Sequence, residues 1–198
     1  MRAMKHKYTI ADMLTLSRLA LVPVFVLLFF LSEHLYAVLC FAIAGFTDLI
    51  DGTVARLLKQ PSKLGAILDP VADKLLVESC FVLLTIVGIL PWWFFAIAFT
   101  RDFFILCGIY YLERNKISFR YEPVLTSKFA TLFQLSTAVL GLIFWWKPFL
   151  QLGSSEYVFA FQLFLFVSAG LIALSALQYF ITGLKILKHN VKKKKEMS

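Results

Sequence analysis

The sequence predicts an all-α fold: a polytopic membrane protein with six transmembrane helices, preceded by a short interfacial amphipathic helix. Three observations predict it. Of 198 residues, 60% are hydrophobic and only 16% charged, with a mean hydropathy of +0.80, which leaves too little polar surface to cover a soluble domain. Stretches apolar and long enough to cross roughly 30 Å of hydrocarbon fall near 16–32, 35–57, 66–89, 91–112, 123–146 and 157–184. The basic residues, finally, gather in alternate connections between those stretches, as the positive-inside rule requires.

The elements follow in chain order. Thr9 to Arg18 places Ile10, Met13 and Leu14 on one side, which suits a short helix lying at the inner interface. The apolar run Leu19 to Leu31 leads into Leu31-Ser-Glu-His-Leu, with no small-x-small cleavage site, so the first span is expected to be retained rather than removed as a signal peptide. Pro61 marks the turn between the second and third spans. Trp92, Trp93, Trp145 and Trp146 lie near the expected outer ends of helices, where an aromatic belt belongs. A basic tail, 185–198, closes a chain read as one domain over 1–198, and its lysines suit anionic headgroups.

With the amino terminus in the cytoplasm, the inner segments hold Arg2, Lys5, Lys7, Lys59, Lys63, Arg114, Lys116, Arg120, Lys185, Lys188 and Lys192 to Lys195, while the outer loops hold only Lys147. That asymmetry accounts for the formal charge of +8 without nucleic acid as a partner. Cys40, Cys80 and Cys107 fall inside spans with no CxxC pattern, and are expected to be buried small hydrophobes rather than disulfides or metal ligands.

The chemistry lies in the second and third spans. Asp48, Asp51, Gly52, Ala55 and Arg56 are related by steps of three and four, and so are Gly65, Asp69 and Asp73, so each set shares one face of its helix. An acidic group costs roughly 2.5 kcal/mol or more at the bilayer centre, which makes four of them a functional hypothesis. Converging carboxylates stay ionised together only beside cations. An all-oxygen set without His or Cys selects Mg²⁺ or Mn²⁺ over zinc, and such ions serve phosphoryl transfer. Arg56 offers a fork for a phosphate on the same face, while Gly52 and Ala55 leave room for a flat group. An ion-pair network of Asp48 or Asp51 with Arg56, and of Asp73 with Lys74, is the structural alternative, but it leaves the remaining acids uncompensated. A cation transporter lined by aspartates is the functional alternative. It needs polar groups through the whole thickness, whereas the outer half of the third span reads Phe81-Val-Leu-Leu-Thr-Ile-Val-Gly-Ile-Leu90. Arg101, Arg120 and Lys128 are basic residues suited to the phosphate of an acceptor at the inner mouth, with a positive-inside role as the alternative for each.

The string D-x-x-D-G-x-x-A-R, eight residues, G-x-x-x-D-x-x-x-D is complete from Asp48 to Asp73, and in it the chain resembles the CDP-alcohol phosphotransferases, membrane enzymes with six helices. The likeness extends to Leu14-Thr-Leu-Ser-Arg18 with Pro23, to Arg101-Asp102 and to Ser127-Lys128. Leu68 to Leu76 is similar to the phosphatidylglycerophosphate synthases of that family.

The resemblance implies that Asp48, Asp51, Asp69 and Asp73 hold a pair of Mg²⁺ or Mn²⁺ ions. It also implies that Asp73 serves as general base and that Gly52, Ala55, Arg56, Ser62 and Gly65 receive the cytidine diphosphate part of CDP-diacylglycerol. Glycerol 3-phosphate is then the acceptor, with phosphatidylglycerophosphate and CMP as products. Arg101-Asp102 also resembles the family's cardiolipin synthases, which use phosphatidylglycerol. Ala11-Asp12 departs from the Pro-Asn common among relatives. A homodimer in the cytoplasmic membrane, with both termini and the site facing the cytoplasm, is expected on the same grounds.

Overall fold

The computed structural model describes residues 10–58, 65–114, 125–147 and 155–196, with 10–15, 48–58, 65–73, 109, 111–113, 155, 185 and 187–196 described by their backbone alone. Among the described residues there are six helices and no strand: α1 (Ile10–Phe30), α2 (His34–Leu58), α3 (Gly65–Ile86), α4 (Trp92–Arg114), α5 (Leu125–Trp146) and α6 (Ser155–Glu196). Four of them, α2 to α5, lie within a few residues of the apolar stretches expected there. Two features differ. The interfacial helix expected ahead of the first span is no separate element, because residues 10–30 form one helix; nothing from Ile10 to Val22 breaks it, and Pro23 is accommodated in its interior. The last helix runs on through the basic tail to Glu196.

Two of the links are built alike. At the end of α1, Glu33 N–H donates to the Leu28 carbonyl (3.0 Å) and Ser32 N–H to that of Phe29 (3.1 Å); after α3, Ile89 N–H donates to Leu84 (2.9 Å) and Gly88 N–H to Thr85 (3.1 Å). Both are Schellman caps, which require a left-handed residue at their turn. Gly88 supplies it at φ 80°, and Ser32 at φ 57° without a glycine's freedom.

The chain divides into two units, Met1–Ile89 and Leu90–Ser198. In the first, α1 packs along both α2 and α3. Phe25 and Phe29 of α1 are buried with Ala37, Cys40, Phe41 and Ala44 of α2 and Leu76, Cys80, Phe81 and Leu84 of α3, and the rings of Phe25 and Phe41 lie 5.6 Å apart. The Cys40 thiol donates to the Leu21 carbonyl at 3.7 Å. In the second unit α6 packs along α4 and α5, with Trp93 stacked on Phe166 (5.4 Å), Phe133 on Phe164 (5.3 Å) and Phe144 on Phe161 (4.7 Å).

Among the described residues, Leu125–Trp146 and Glu156–Leu184 are long and apolar enough to cross a membrane. Only 39% and 28% of their most apolar windows are buried. Long helices whose uncovered surface is this apolar suit a hydrocarbon solvent. Cys40 and Cys80 are buried as expected, but Cys107 is exposed on α4. A uniformly apolar helix carries no periodic signal of which side turns inward, which is why the sequence placed all three thiols inside.

Candidate functional site

The backbone places the acidic residues on two helices of one unit. Asp48, Asp51, Gly52, Ala55 and Arg56 lie on α2, and Gly65, Asp69 and Asp73 on α3. All four aspartates stand within ten residues of the helix ends that flank segment 59–64, since Asp48 is 58 − 48 = 10 residues from the end of α2 and Asp73 is 73 − 65 = 8 from the start of α3. At about 1.5 Å per residue, those heights are about 15 and 12 Å. The register agrees with the packing. Ala37, Cys40 and Ala44 are buried on α2, and further steps of four, three and four reach positions 48, 51 and 55. On α3, Leu76, Cys80 and Leu83 are buried, and stepping back by three and four reaches 73 and 69. Ser62 and Arg120 lie outside the described residues.

The residue types at these positions suit a hard divalent ion: four aspartates on two helices of one unit, with neither His nor Cys at the intervening positions. Among the residues with described side chains, no group of three or more His, Cys, Asp or Glu gathers.

Arg18 is a residue the sequence reading did not single out for the site. Its side chain is 1% exposed, on the same face of α1 as Phe25 and Phe29 by steps of seven and four. The signal was present, since an arginine about two turns into an apolar helix is costly unless it is paired or used.

The second unit buries a polar network of its own. Arg101 and Asp102 of α4 are 2% and 3% exposed and form an ion pair. The other terminal nitrogen of Arg101, Nη2, donates to the hydroxyls of Ser127 (3.0 Å), Ser175 (3.3 Å) and Thr131 (3.4 Å). Gln134 Nε2 donates to Asp102 Oδ2 at 3.0 Å, and the Tyr179 hydroxyl donates to Ser127 Oγ at 2.7 Å. The ring of Tyr179 lies 5.8 Å from the guanidinium carbon of Arg101. Arg101 Nε is buried without a partner. Lys128, next to Ser127, is exposed.

The network sits in one part of the unit. Thr137 donates to the Phe133 carbonyl (2.8 Å) and lies 3.3 Å from Ser168 Oγ. Beyond it α5 buries Ala138, Gly141 and Leu142, and Phe144 stacks on Phe161. Asp102, Gln134, Ser175 and Tyr179 were not foreseen as a constellation, although Ser127, Thr131, Gln134 and Thr137 recur at helical steps on α5, as do Ser168, Ser175 and Tyr179 on α6. Arg101 and Asp102 are chain neighbours, and adjacent positions on a helix do not ordinarily face each other. The long arginine closes the pair by folding back.

Residues 8–174 match the sequence model of the CDP-alcohol phosphatidyltransferase family. The cardiolipin synthase (CMP-forming) of Homo sapiens is 29% identical over 197 residues, covering 91% of this chain and 64% of that protein. A probable cardiolipin synthase (CMP-forming) of Drosophila melanogaster is 35% identical over 150 residues, covering 68% and 47%. A probable phosphatidylglycerophosphate synthase of Mycobacterium tuberculosis is 41% identical over 99 residues, 47% of each chain. The matched part spans about half the length of the last two relatives.

Proposed function

The chain belongs to the CDP-alcohol phosphatidyltransferase family, and from that premise we propose that it moves the phosphatidyl group of CDP-diacylglycerol onto a phosphate-bearing glycerol acceptor and releases CMP. The observation that carries this reading is the placement of Asp48, Asp51, Asp69 and Asp73 on α2 and α3 of one unit, in continuous register with its buried core.

In this reading the four aspartates hold two ions, Mg²⁺ or Mn²⁺, which supply charge neutralisation on the diphosphate and its leaving group. Asp73 accepts the proton of the acceptor hydroxyl. The freed oxygen attacks the phosphorus that bears diacylglycerol, the bond from that phosphorus to the CMP oxygen breaks, and CMP leaves with the electron pair. Arg56 and Ser62 hold donor phosphate oxygens, and the small residues Gly52, Ala55 and Gly65 leave space for the cytidine. Six membrane-crossing helices, both termini and the site on the cytoplasmic side of the inner membrane, and a homodimer complete the proposal. The polar row on α5 and α6 gives way to packed aromatic and aliphatic side chains rather than running the length of the unit, which supports an enzyme over a cation transporter.

Two acceptors have specific support. Glycerol 3-phosphate suits a basic set of Arg101, Arg120 and Lys128, and the likeness of residues 68–76. Phosphatidylglycerol suits Arg101-Asp102 and the relatives that cover more of this chain, which carry the name cardiolipin synthase. The comparisons tilt toward phosphatidylglycerol. The test is CMP release from CDP-diacylglycerol by purified protein with Mg²⁺ or Mn²⁺, each acceptor offered separately and a chelator as control. Release with phosphatidylglycerol alone assigns cardiolipin synthesis, and release with glycerol 3-phosphate alone assigns phosphatidylglycerophosphate synthesis. Folded protein that releases no CMP with any alcohol overturns the proposal.

A further inference from the structure

We propose that Tyr179 is a positioning residue of the acceptor-phosphate site, fixing from α6 both the first turn of α5 that carries Lys128 and the guanidinium of Arg101 on α4. The inference rests on the phosphatidyltransferase reading and adds to it a residue that would act without touching substrate. Lys128 projects from the first turn of α5 one residue after Ser127. The Ser127 hydroxyl joins that turn to both other helices of the unit: Arg101 of α4 donates to it at 3.0 Å and Tyr179 of α6 at 2.7 Å. Tyr179 also sets its ring against Arg101 at 5.8 Å, and Ser175, one turn earlier on α6, accepts from the same guanidinium nitrogen at 3.3 Å. A long basic side chain carries considerable rotamer entropy, and binding a phosphate costs less when the surrounding groups have already ordered its base.

The arrangement is asymmetric in a way that suits this role. Among the described residues the charged group paired with Arg101 is Asp102, while its contacts to α5 and α6 are neutral hydroxyls and a ring. Its Nε is buried without a partner. Asp102 offsets part of the guanidinium charge, while the neutral hydroxyls and the Tyr179 ring set its direction.

The experiment compares steady-state kinetics of wild type, Tyr179→Phe, Tyr179→Leu, Ser127→Ala and the Ser127→Ala/Tyr179→Phe double variant, varying donor and acceptor separately. Tyr179→Phe keeps the ring and loses the hydroxyl. It should raise the acceptor KM about fivefold, the order expected for one neutral hydrogen bond, with the donor KM unchanged. Tyr179→Leu, which also loses the ring, should raise it further. The double variant should resemble Ser127→Ala, which already removes the acceptor of both the Tyr179 and the Arg101 hydrogen bonds, so that adding Tyr179→Phe changes little. A purely structural tyrosine would instead lower the thermal midpoint and leave the acceptor KM alone. That result, or equal rises in both KM values, in an active wild-type background overturns the positioning role only. A wild-type protein that transfers nothing to any alcohol overturns it together with the reading beneath it.

Discussion

At the level of single residues, the four aspartates of the proposed site are assigned different work. Asp48 and Asp51 on α2 have only charge to offer a metal, whereas Asp73 is also proposed to take a proton. Asp73→Asn should therefore abolish CMP release, a loss of at least about a hundredfold on the scale of a missing general base, while donor binding persists. Asp48→Asn should lose donor binding as well. Equilibrium binding of CDP-diacylglycerol by the two variants, with folding checked for each, separates the roles; equal loss of binding would reduce Asp73 to a metal ligand. Arg101 illustrates what the sequence leaves open about one residue. Its depth in an apolar span makes it a functional candidate, but the chain does not say that it would meet Asp102, its own neighbour, and three hydroxyls from α5 and α6.

Among the elements, the paired caps after α1 and α3 offer a direct measure of backbone cost. Ser32 holds a left-handed φ of 57°, where a side chain costs roughly 1–2 kcal/mol. Ser32→Gly should stabilise by about 0.5 kcal/mol, because glycine's extra unfolded-state freedom offsets part of the relief. A Cβ added at Gly88 would meet nothing within 4 Å, so Gly88→Ala isolates the conformational penalty at φ 80° and should destabilise by about 1 kcal/mol. Thermal unfolding of both variants in detergent should show shifts of opposite sign; a lowered midpoint for Ser32→Gly would mean that the serine contributes more than its backbone angle suggests. The helix α6 makes a different point. Its apolar part, Glu156–Leu184, covers 29 residues, about 43 Å at 1.5 Å per residue, and the helix continues for 196 − 184 = 12 residues into the basic tail. The lysines at its end therefore stand on the same rigid element as the membrane-crossing part, which suits attachment to anionic headgroups.

For the whole molecule, the charge distribution makes a topology that can be measured. Single cysteines placed at Lys116 and Lys147 in a background lacking Cys40, Cys80 and Cys107 should react with a membrane-impermeant thiol reagent from opposite sides, position 116 from the cytoplasm and position 147 from outside. Reaction of both from one side would break the six-span proposal. The division into two units also has meaning for function. The proposed metal and donor residues fall in the first, the buried arginine network and Lys128 in the second, so each half can be perturbed and read through a different substrate's KM.

The sequence by itself determined the helical class, the boundaries of α2 to α5 and the acidic signature, because these depend on local quantities. Hydrocarbon thickness sets the length of an apolar run, 3.6 residues per turn sets which acids share a face, and loop charge sets the expected orientation. It was less informative where one helix had to be seen against another. The sequence could not say that residues 10–18 continue into α1, that Cys107 faces outward, or that Tyr179 and Arg101 converge on Ser127 over separations of 52 and 26 residues. In a lipid-solvated helix nearly every position is apolar, so periodicity does not separate the inward face from the outward one. Which polar side chains become partners was decided by tertiary packing, where a buried donor must find an acceptor or remain unsatisfied in a medium that offers no water.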